Sequence, residues 1–365
     1  MLSFGSLFAG VGGADLGLEA AGLTCLWQVE NDAACSQVLE YRWPDVDRYG
    51  DICTLNGADL EPVDVIFYGF PCQDLSRAGK RAGLDGEESH LFFEAVRIIT
   101  EMQEATNGEY PKWAIAENVP GLLTADKGSA MARVLDTLAE AGALVIEWCV
   151  LDAQFLGVPQ RRSRVFLAAL FDSALAERCP DEVFPLADSG SGNPQKVDSA
   201  RQASPRPFGE SVEASRLGDE FSEPFVKSRR ARSNTDHESW IENAPAPTLN
   251  SFENTNSRAT TAIVFTAQRV GEPPRIYEDV APSLLQRMGT GGNQTPLVAH
   301  SSLRVRRLTP LECERLQGWP DDHTRYRADG KEQKDTPRYK QIGNGVASPA
   351  AEWIARQILA VHGTT

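Results

Sequence analysis

The stretch Asp64-Val65-Ile66-Phe67-Tyr68-Gly69-Phe70-Pro71-Cys72-Gln73 decides the fold. Its β-branched and aromatic run predicts a buried strand, which Gly69 and Pro71 stop abruptly. Cys72 then lies at a strand's carboxyl end, where open α/β sheets gather their ligands. A lone cysteine is more often a buried structural residue, since free Cys is among the most buried types. Working outward, residues 1 to about 171 alternate short apolar strands with helical patterns, the signature of a parallel sheet covered on both faces. Strands are expected to end at Phe8, Glu30, Asp51, Tyr68, Ala116 and Leu151, with another from Val165 to Phe171. Helices are expected from Asp15 to Ala21 (closed by Gly22), from Leu91 to Met102, and from Met131 to Ala141 (closed by Gly142).

Bulk properties narrow the class. A chain of 365 residues, 41% hydrophobic, can bury a large core and suggests two domains. No apolar run approaches the roughly 20 residues of a membrane span, and the start at Met1-Leu2-Ser3-Phe4 lacks the basic region of a signal peptide. The seven cysteines are scattered singly, which fits a reducing compartment, the cytoplasm, better than a disulfide framework. The five histidines form no ligand spacing, so no metal is implied. A net charge of −15 argues against a generic nucleic-acid binder, yet it does not exclude a local basic patch. Such patches exist at Arg161, Arg162 and Arg164, at Lys227, Arg229, Arg230 and Arg232, and at Arg304, Arg306 and Arg307.

From about Leu186 to Pro207 the chain is rich in Ser, Gly, Asn, Gln and Pro and reads as a linker. The following residues, to about Ser302, show scattered short strands such as Ala262 to Ala267 and suggest a small, partly β domain. Order returns at Thr309, which with Pro310 and Glu312 forms a capping box, and a last helix is expected from Ser348-Pro349 to about Val361.

Three further stretches give Cys72 a function. Ser6-Leu7-Phe8-Ala9-Gly10-Val11-Gly12-Gly13 lies between a strand and a helix, and its glycines let the backbone turn close to a nucleotide-like ligand. Glu30, about 20 residues on, stands where an acid commonly binds ribose hydroxyls. That turn alone suits a nicotinamide dehydrogenase equally well. Glu117-Asn118-Val119 follows another strand, and Gln160-Arg161-Arg162-Ser163-Arg164 precedes a further one. In this order the four stretches resemble the DNA (cytosine-5) methyltransferase family, of bacterial or phage type, at both ends of the chain.

The resemblance implies a Rossmann-like S-adenosylmethionine-dependent domain built from residues 1–185 and 305–365. A smaller, partly β target-recognition domain, residues 186–304, is inserted before the C-terminal motifs. It also implies that the cofactor meets Phe8, Ala9, Gly10, Gly12, Glu30, Asn31, Asp51, Ile52, Pro71, Asn344 and Val346. Phe8 would pack on the adenine, Glu30 hold the ribose and Asp51 meet the adenine amine. Ser6 and Asn31 depart from the acidic or aromatic neighbours common in the family.

The same likeness implies the chemistry. A Cys72 thiolate adds to carbon 6 of cytosine and makes carbon 5 nucleophilic, with Glu117 sharing a proton with the ring nitrogen. Arg164 would hold the exocyclic oxygen, and Arg162 would support the catalytic loop and Glu117. The base must first leave the duplex, so double-stranded DNA is the implied partner. Ser76, Lys80 and Arg81 lie in a glycine-punctuated basic loop that would contact phosphates, although Glu88 stands where the family usually has Arg. Ser283-Leu284 occupies about the place of the family's DNA-reading Thr-Leu pair, with Pro247-Thr248-Leu249 further upstream. A monomer is expected, beside a restriction endonuclease acting on the same site. The rivals are a transfer-RNA methyltransferase with the same core and a non-catalytic DNA-binding regulator.

Overall fold

The computed structural model describes residues 1–70, 90–180, 183–184, 225–229, 239–242, 284, 297–300 and 304–363. Alternating strands and helices build the N-terminal half. They are β1 (Ser3–Leu7), α1 (Gly13–Ala21), β2 (Thr24–Val29), α2 (Ala33–Arg42), β3 (Asp47–Tyr49), β4 (Val65–Gly69), α3 (His90–Ala105), β5 (Trp113–Asn118), α4 (Ser129–Glu140), β6 (Val145–Asp152), β7 (Ser163–Leu170) and the short α5 (Ser173–Ala176). Two antiparallel pairs follow, β8 (Phe225–Arg229) with β9 (Ser239–Glu242) and β10 (Leu297–His300) with β11 (Arg304–Arg307). Three helices end the chain: α6 (Pro310–Leu316), α7 (Asp335–Asn344) and α8 (Ser348–His362).

The first seven strands form one sheet in the order β3-β2-β1-β4-β5-β7-β6. β1 to β5 run parallel, while β7 pairs antiparallel with both β5 and β6. An all-parallel sheet was therefore the wrong expectation for this edge. β7 is buried on both faces almost throughout, so its apolar run reads as a parallel strand, and only the short connection from β6, without a crossover helix, permits the reversal.

Alternation along the strands sends side chains to two cores. Val65 and Phe67 of β4 join Leu18 of α1 and Ile354, Ala355 and Ile358 of α8 on one face. Ile66 and Tyr68 join Phe92, Ile98 and Ile99 of α3 and Val134 of α4 on the other. Each fully buried Leu, Ile or Phe contributes about 2 kcal/mol of transfer free energy, so these two layers hold the strand ends in register. Helix ends follow local chemistry as anticipated. Gly22 caps α1 in the left-handed region, and Thr309 and Glu312 form the reciprocal capping box of α6.

The sequence reading missed three helices, the one-turn α5 and the longer α2 and α7. In α2 only Val38 and Leu39 are buried, and in α7 the buried positions are Arg338, Gln341, Ile342 and Gly343, so neither shows an apolar stripe. The expected linker at 186–207 and the strand at 262–267 lie outside the described residues, as does most of the proposed target-recognition domain. No described helix is long and apolar enough to cross a membrane.

Candidate active site

The carboxyl ends of the parallel strands meet along one edge of the sheet, with Phe8, Glu30 and Glu117 among the described residues at or just beyond those ends. β1 ends at Leu7, after which Phe8, Gly10 and Gly12 all take positive φ and turn the chain back into α1. A Cβ on Gly10 would find nothing within 4 Å, so open space lies beside this loop. The Gly10 N–H donates to Glu30 Oε2 at 2.7 Å, and the Asp32 N–H donates to Oε1 at 2.7 Å. Burial pushes the Glu30 carboxyl up from its ordinary range, against these backbone bonds. Asp32 also caps α2 and pairs with Lys340 of α7 at 2.9 Å, which draws the C-terminal segment to this edge.

Two indoles and an imidazole brace the loop. Trp319 Nε1–H donates to the Val346 carbonyl at 3.0 Å, and His323 Nε2–H donates to the Val11 carbonyl at 2.6 Å. His323 stands edge-on to Trp43 and tilted against Trp319, with centroids 5.9 and 5.3 Å away. A Cβ on Gly12 would lie 2.3 Å from the Trp43 ring, and one on Gly345 2.4 Å from the Trp319 ring, so both positions require glycine. The sequence reading missed Trp43, Trp319 and His323; His323 joins the other end of the chain, meeting Val11 and Trp43.

Asp51 and Ile52 follow β3 on the same edge. Asp51 is exposed and accepts the Cys53 N–H at 3.0 Å, whereas Ile52 is buried. Arg97 of α3 fixes this turn through the Ile52 carbonyl at 2.9 Å and the Leu55 carbonyl at 2.8 Å. Asn344 is exposed, Asn31 is exposed, and Ala9 lies at the loop's base with its N–H on the Val29 carbonyl. These residues fit an adenosyl ligand: an open glycine turn, an oriented acid at Glu30 and an accessible carboxylate at Asp51.

The catalytic expectations fall on the neighbouring strands. Register pairs Gly69 of β4 with Glu117 of β5, and a Cβ on Gly69 would lie 3.4 Å from Glu117 Oε2. Arg164 Nε meets Glu117 Oε1 at 3.0 Å, and both side chains are mostly buried, at 16% and 13% exposure. Asn118 Nδ2 donates to the Phe70 carbonyl at 3.4 Å. Glu117 is therefore oriented by a guanidinium on one oxygen, with the other turned toward the chain that leads into Cys72. Arg162 is fully buried and donates to the carbonyls of Leu284, Gly343 and Gly345 at 3.0, 3.2 and 2.6 Å. Its burial pushes its pKa well down.

Pro71, Cys72, Ser76, Lys80, Arg81, Glu88 and Ser283 lie outside the described residues. Leu284 does not face DNA as anticipated. Its side chain is fully buried against Val11, Leu316, Trp319 and Ile342, because an apolar residue beside the three-helix end gains more from this core than from a surface. Each of the six described cysteines, Cys25, Cys35, Cys53, Cys149, Cys179 and Cys313, has its thiol pushed up by burial, and none sits where a thiolate is favoured. Among the described residues no cluster of three His, Cys, Asp or Glu could hold a metal.

The family model for C-5 cytosine-specific DNA methylases matches residues 2–360. The chain belongs to that family. Among related methylases, Type II methyltransferase M.Bsp6I of Bacillus sp. is 29% identical over 98% of this chain and 98% of its own length. Type II methyltransferase M2.BsuMI of Bacillus subtilis is 28% identical over 97% of this chain and 74% of its own. A protein of Escherichia phage P1 named a DNA N-6-adenine-methyltransferase is 26% identical over 98% of this chain, which spans 61% of that relative's length. Solved structures share the fold. A DNA modification methyltransferase from an E. coli prophage superposes with a TM-score of 0.61 at 21% identity, covering 100% of both chains. The S. pombe Dnmt2 methyltransferase superposes at 0.59 with 16% identity, covering 99% of both.

Proposed function

We propose that this methylase transfers a methyl group from S-adenosylmethionine to carbon 5 of a cytosine rotated out of double-stranded DNA, through a covalent bond between Cys72 and carbon 6. The observation that carries the reading is the Glu117–Arg164 pair beside Gly69, three residues before Cys72. The bound cofactor supplies an electrophilic methyl group on sulfur. Phe8 to Gly12, Glu30, Asp51 and the Asn344–Val346 turn would hold it.

The chain's own residues then act on the base. Cys72 adds to carbon 6, and Glu117 hands a proton to the ring nitrogen, so the ring electrons become available at carbon 5. Arg164 holds the Glu117 carboxyl and would also donate to the exocyclic oxygen of the base. After carbon 5 is methylated, its proton leaves to water, the Cys72 thiolate is expelled as the ring double bond re-forms, and the ring nitrogen returns its proton to Glu117. A stacked base cannot reach this edge of the sheet, so the base is flipped, with Ser76, Lys80 and Arg81 on flanking phosphates and residues 186–304 reading the site. The Type II names of two relatives support a restriction-modification setting.

The test is to incubate the protein and labelled S-adenosylmethionine with random-sequence duplex DNA and with RNA, then digest each to nucleosides. The expected product is 5-methyldeoxycytidine from DNA alone. N6-methyldeoxyadenosine, the product implied by the name of the phage P1 relative, or label in RNA alone would contradict the reading.

A further inference from the structure

Leu284 is held from every side. Its backbone N–H donates to Gln160 Oε1 at 3.0 Å, and its carbonyl accepts from Arg162 Nη1 at 3.0 Å. A buried peptide outside a helix or sheet must find such partners, and here two side chains from the approach to β7 supply both. The same two side chains reach further. Gln160 Nε2 donates to the Leu316 carbonyl of α6 at 2.8 Å, while Arg162 Nη2 grips the carbonyls on either side of Asn344. Asp152 fixes the approach itself, accepting the Arg162 N–H at 2.9 Å and the Ser163 hydroxyl at 2.8 Å. One residue beyond Ser163, Arg164 holds Glu117.

We propose that the Leu284 peptide couples the DNA-reading segment to the catalytic pair and the cofactor pocket, with Gln160 and Arg162 as positioning residues acting through it. The proposal rests on the reading of residues 186–304 as the target-recognition part of a DNA methylase. A peptide pinned at both polar groups cannot slide along the chain without breaking two buried hydrogen bonds together. Displacement at its N-terminal side is therefore passed to Gln160 and Arg162. The planar guanidinium of Arg162 shares its donors between Leu284 and the Gly343–Gly345 turn, so one cannot move without re-aiming the bond to the other. A correctly read site leaves the peptide seated, and a wrong site draws it away from Arg162 and loosens the Asn344 turn and the β7 approach.

The experiment compares wild type, Gln160→Met and Gln160→Glu. Methionine keeps the side chain's length and removes all three of its hydrogen bonds, to Leu284, Leu316 and the Gln317 side chain, whereas the acid keeps an acceptor for the Leu284 N–H. For each protein, kcat and KM are measured on duplexes carrying the preferred site and single-base variants of it, together with the KM for S-adenosylmethionine. For Gln160→Met the account expects kcat on the preferred site to fall about tenfold, from loss of these buried bonds, and discrimination between preferred and variant sites to narrow by a similar factor. Gln160→Glu should recover discrimination at low pH, where a buried carboxyl is neutral and donates to the Leu316 carbonyl, and lose it as pH rises and the group ionises. A merely structural brace would lower activity on every duplex by the same fraction and leave discrimination unchanged, which overturns the proposal. If Gln160→Met fails to fold, a discrimination ratio for Gln160→Glu that equals wild type at every pH overturns it on its own. Wild-type protein that methylates no DNA would refute the activity reading itself, whereas an active wild type with unchanged ratios in the variants refutes only the coupling.

Discussion

Two buried titratable groups lie near the glycine loop, and their pH responses oppose each other. Asp15 is fully buried in α1, accepting from Gln28 Nε2 at 2.8 Å and the Ser6 hydroxyl at 3.2 Å, and burial pushes its carboxyl from 3.8 up to about 6. His323 is 1% exposed, and burial pushes it from 6.5 down to about 4, against the bond to the Val11 carbonyl. The signs follow from linkage. A carboxyl whose folded pKa is raised adds stability as pH falls through about 6, while a histidine whose folded pKa is depressed loses stability as pH falls below 6.5. At about 1.4 kcal/mol per pH unit, going from pH 7.5 to pH 5.5 costs about 1.3 kcal/mol at His323 and returns about 0.8 kcal/mol at Asp15. That window stays above the sequence pI of about 4.9, where solubility falls. Urea denaturation of wild type, Asp15→Asn and His323→Gln at both pH values isolates each group, because the other titrations cancel in the differences. Acidification should move His323→Gln about 1.3 kcal/mol in its favour relative to wild type, and Asp15→Asn about 0.8 kcal/mol against. Differences that stay flat with pH would refute the account of both groups.

Other perturbations follow from single contacts. Glu117→Gln keeps the shape of the pair with Arg164 but removes the proton donor, so kcat should fall about 100-fold or more with DNA binding retained in a gel-shift assay. Gly345→Ala would press a methyl group 2.4 Å from the Trp319 ring. It should cost about 1–3 kcal/mol in denaturation and raise the KM for S-adenosylmethionine more than it lowers kcat. Thr309→Ala breaks the capping box of α6 and should cost about 1 kcal/mol in denaturation, with catalytic constants unchanged.

What could be read in advance was local. The capping box spans Thr309 to Glu312, the glycine turn and Glu30 carry their own spacing, and the run from Val65 to Gly69 alternates between two cores. Each is specified by residues close in sequence, so pattern and resemblance both find it. The reversal of β7 was hidden because burial on both faces erases alternation. His323 was one of five scattered histidines, and its partner Val11 lies 312 residues away. The role of Leu284 was misread for the same kind of reason. Its neighbours in sequence suggested a DNA contact, while the contacts that define it come from Gln160, Arg162 and the three-helix end of the chain.

The central claim is a covalent bond from Cys72 to the target base, and a mechanism-based trap tests it most directly. Duplex DNA containing 5-fluorocytosine is incubated with S-adenosylmethionine and either wild type or Cys72→Ala, then denatured. Fluorine cannot leave carbon 5 as a cation, so the reaction stops at the adduct after methyl transfer. The account predicts a denaturation-resistant protein–DNA complex with wild type and none with the variant. A variant that still forms the complex, or a wild type that methylates unsubstituted DNA yet never traps, would contradict it.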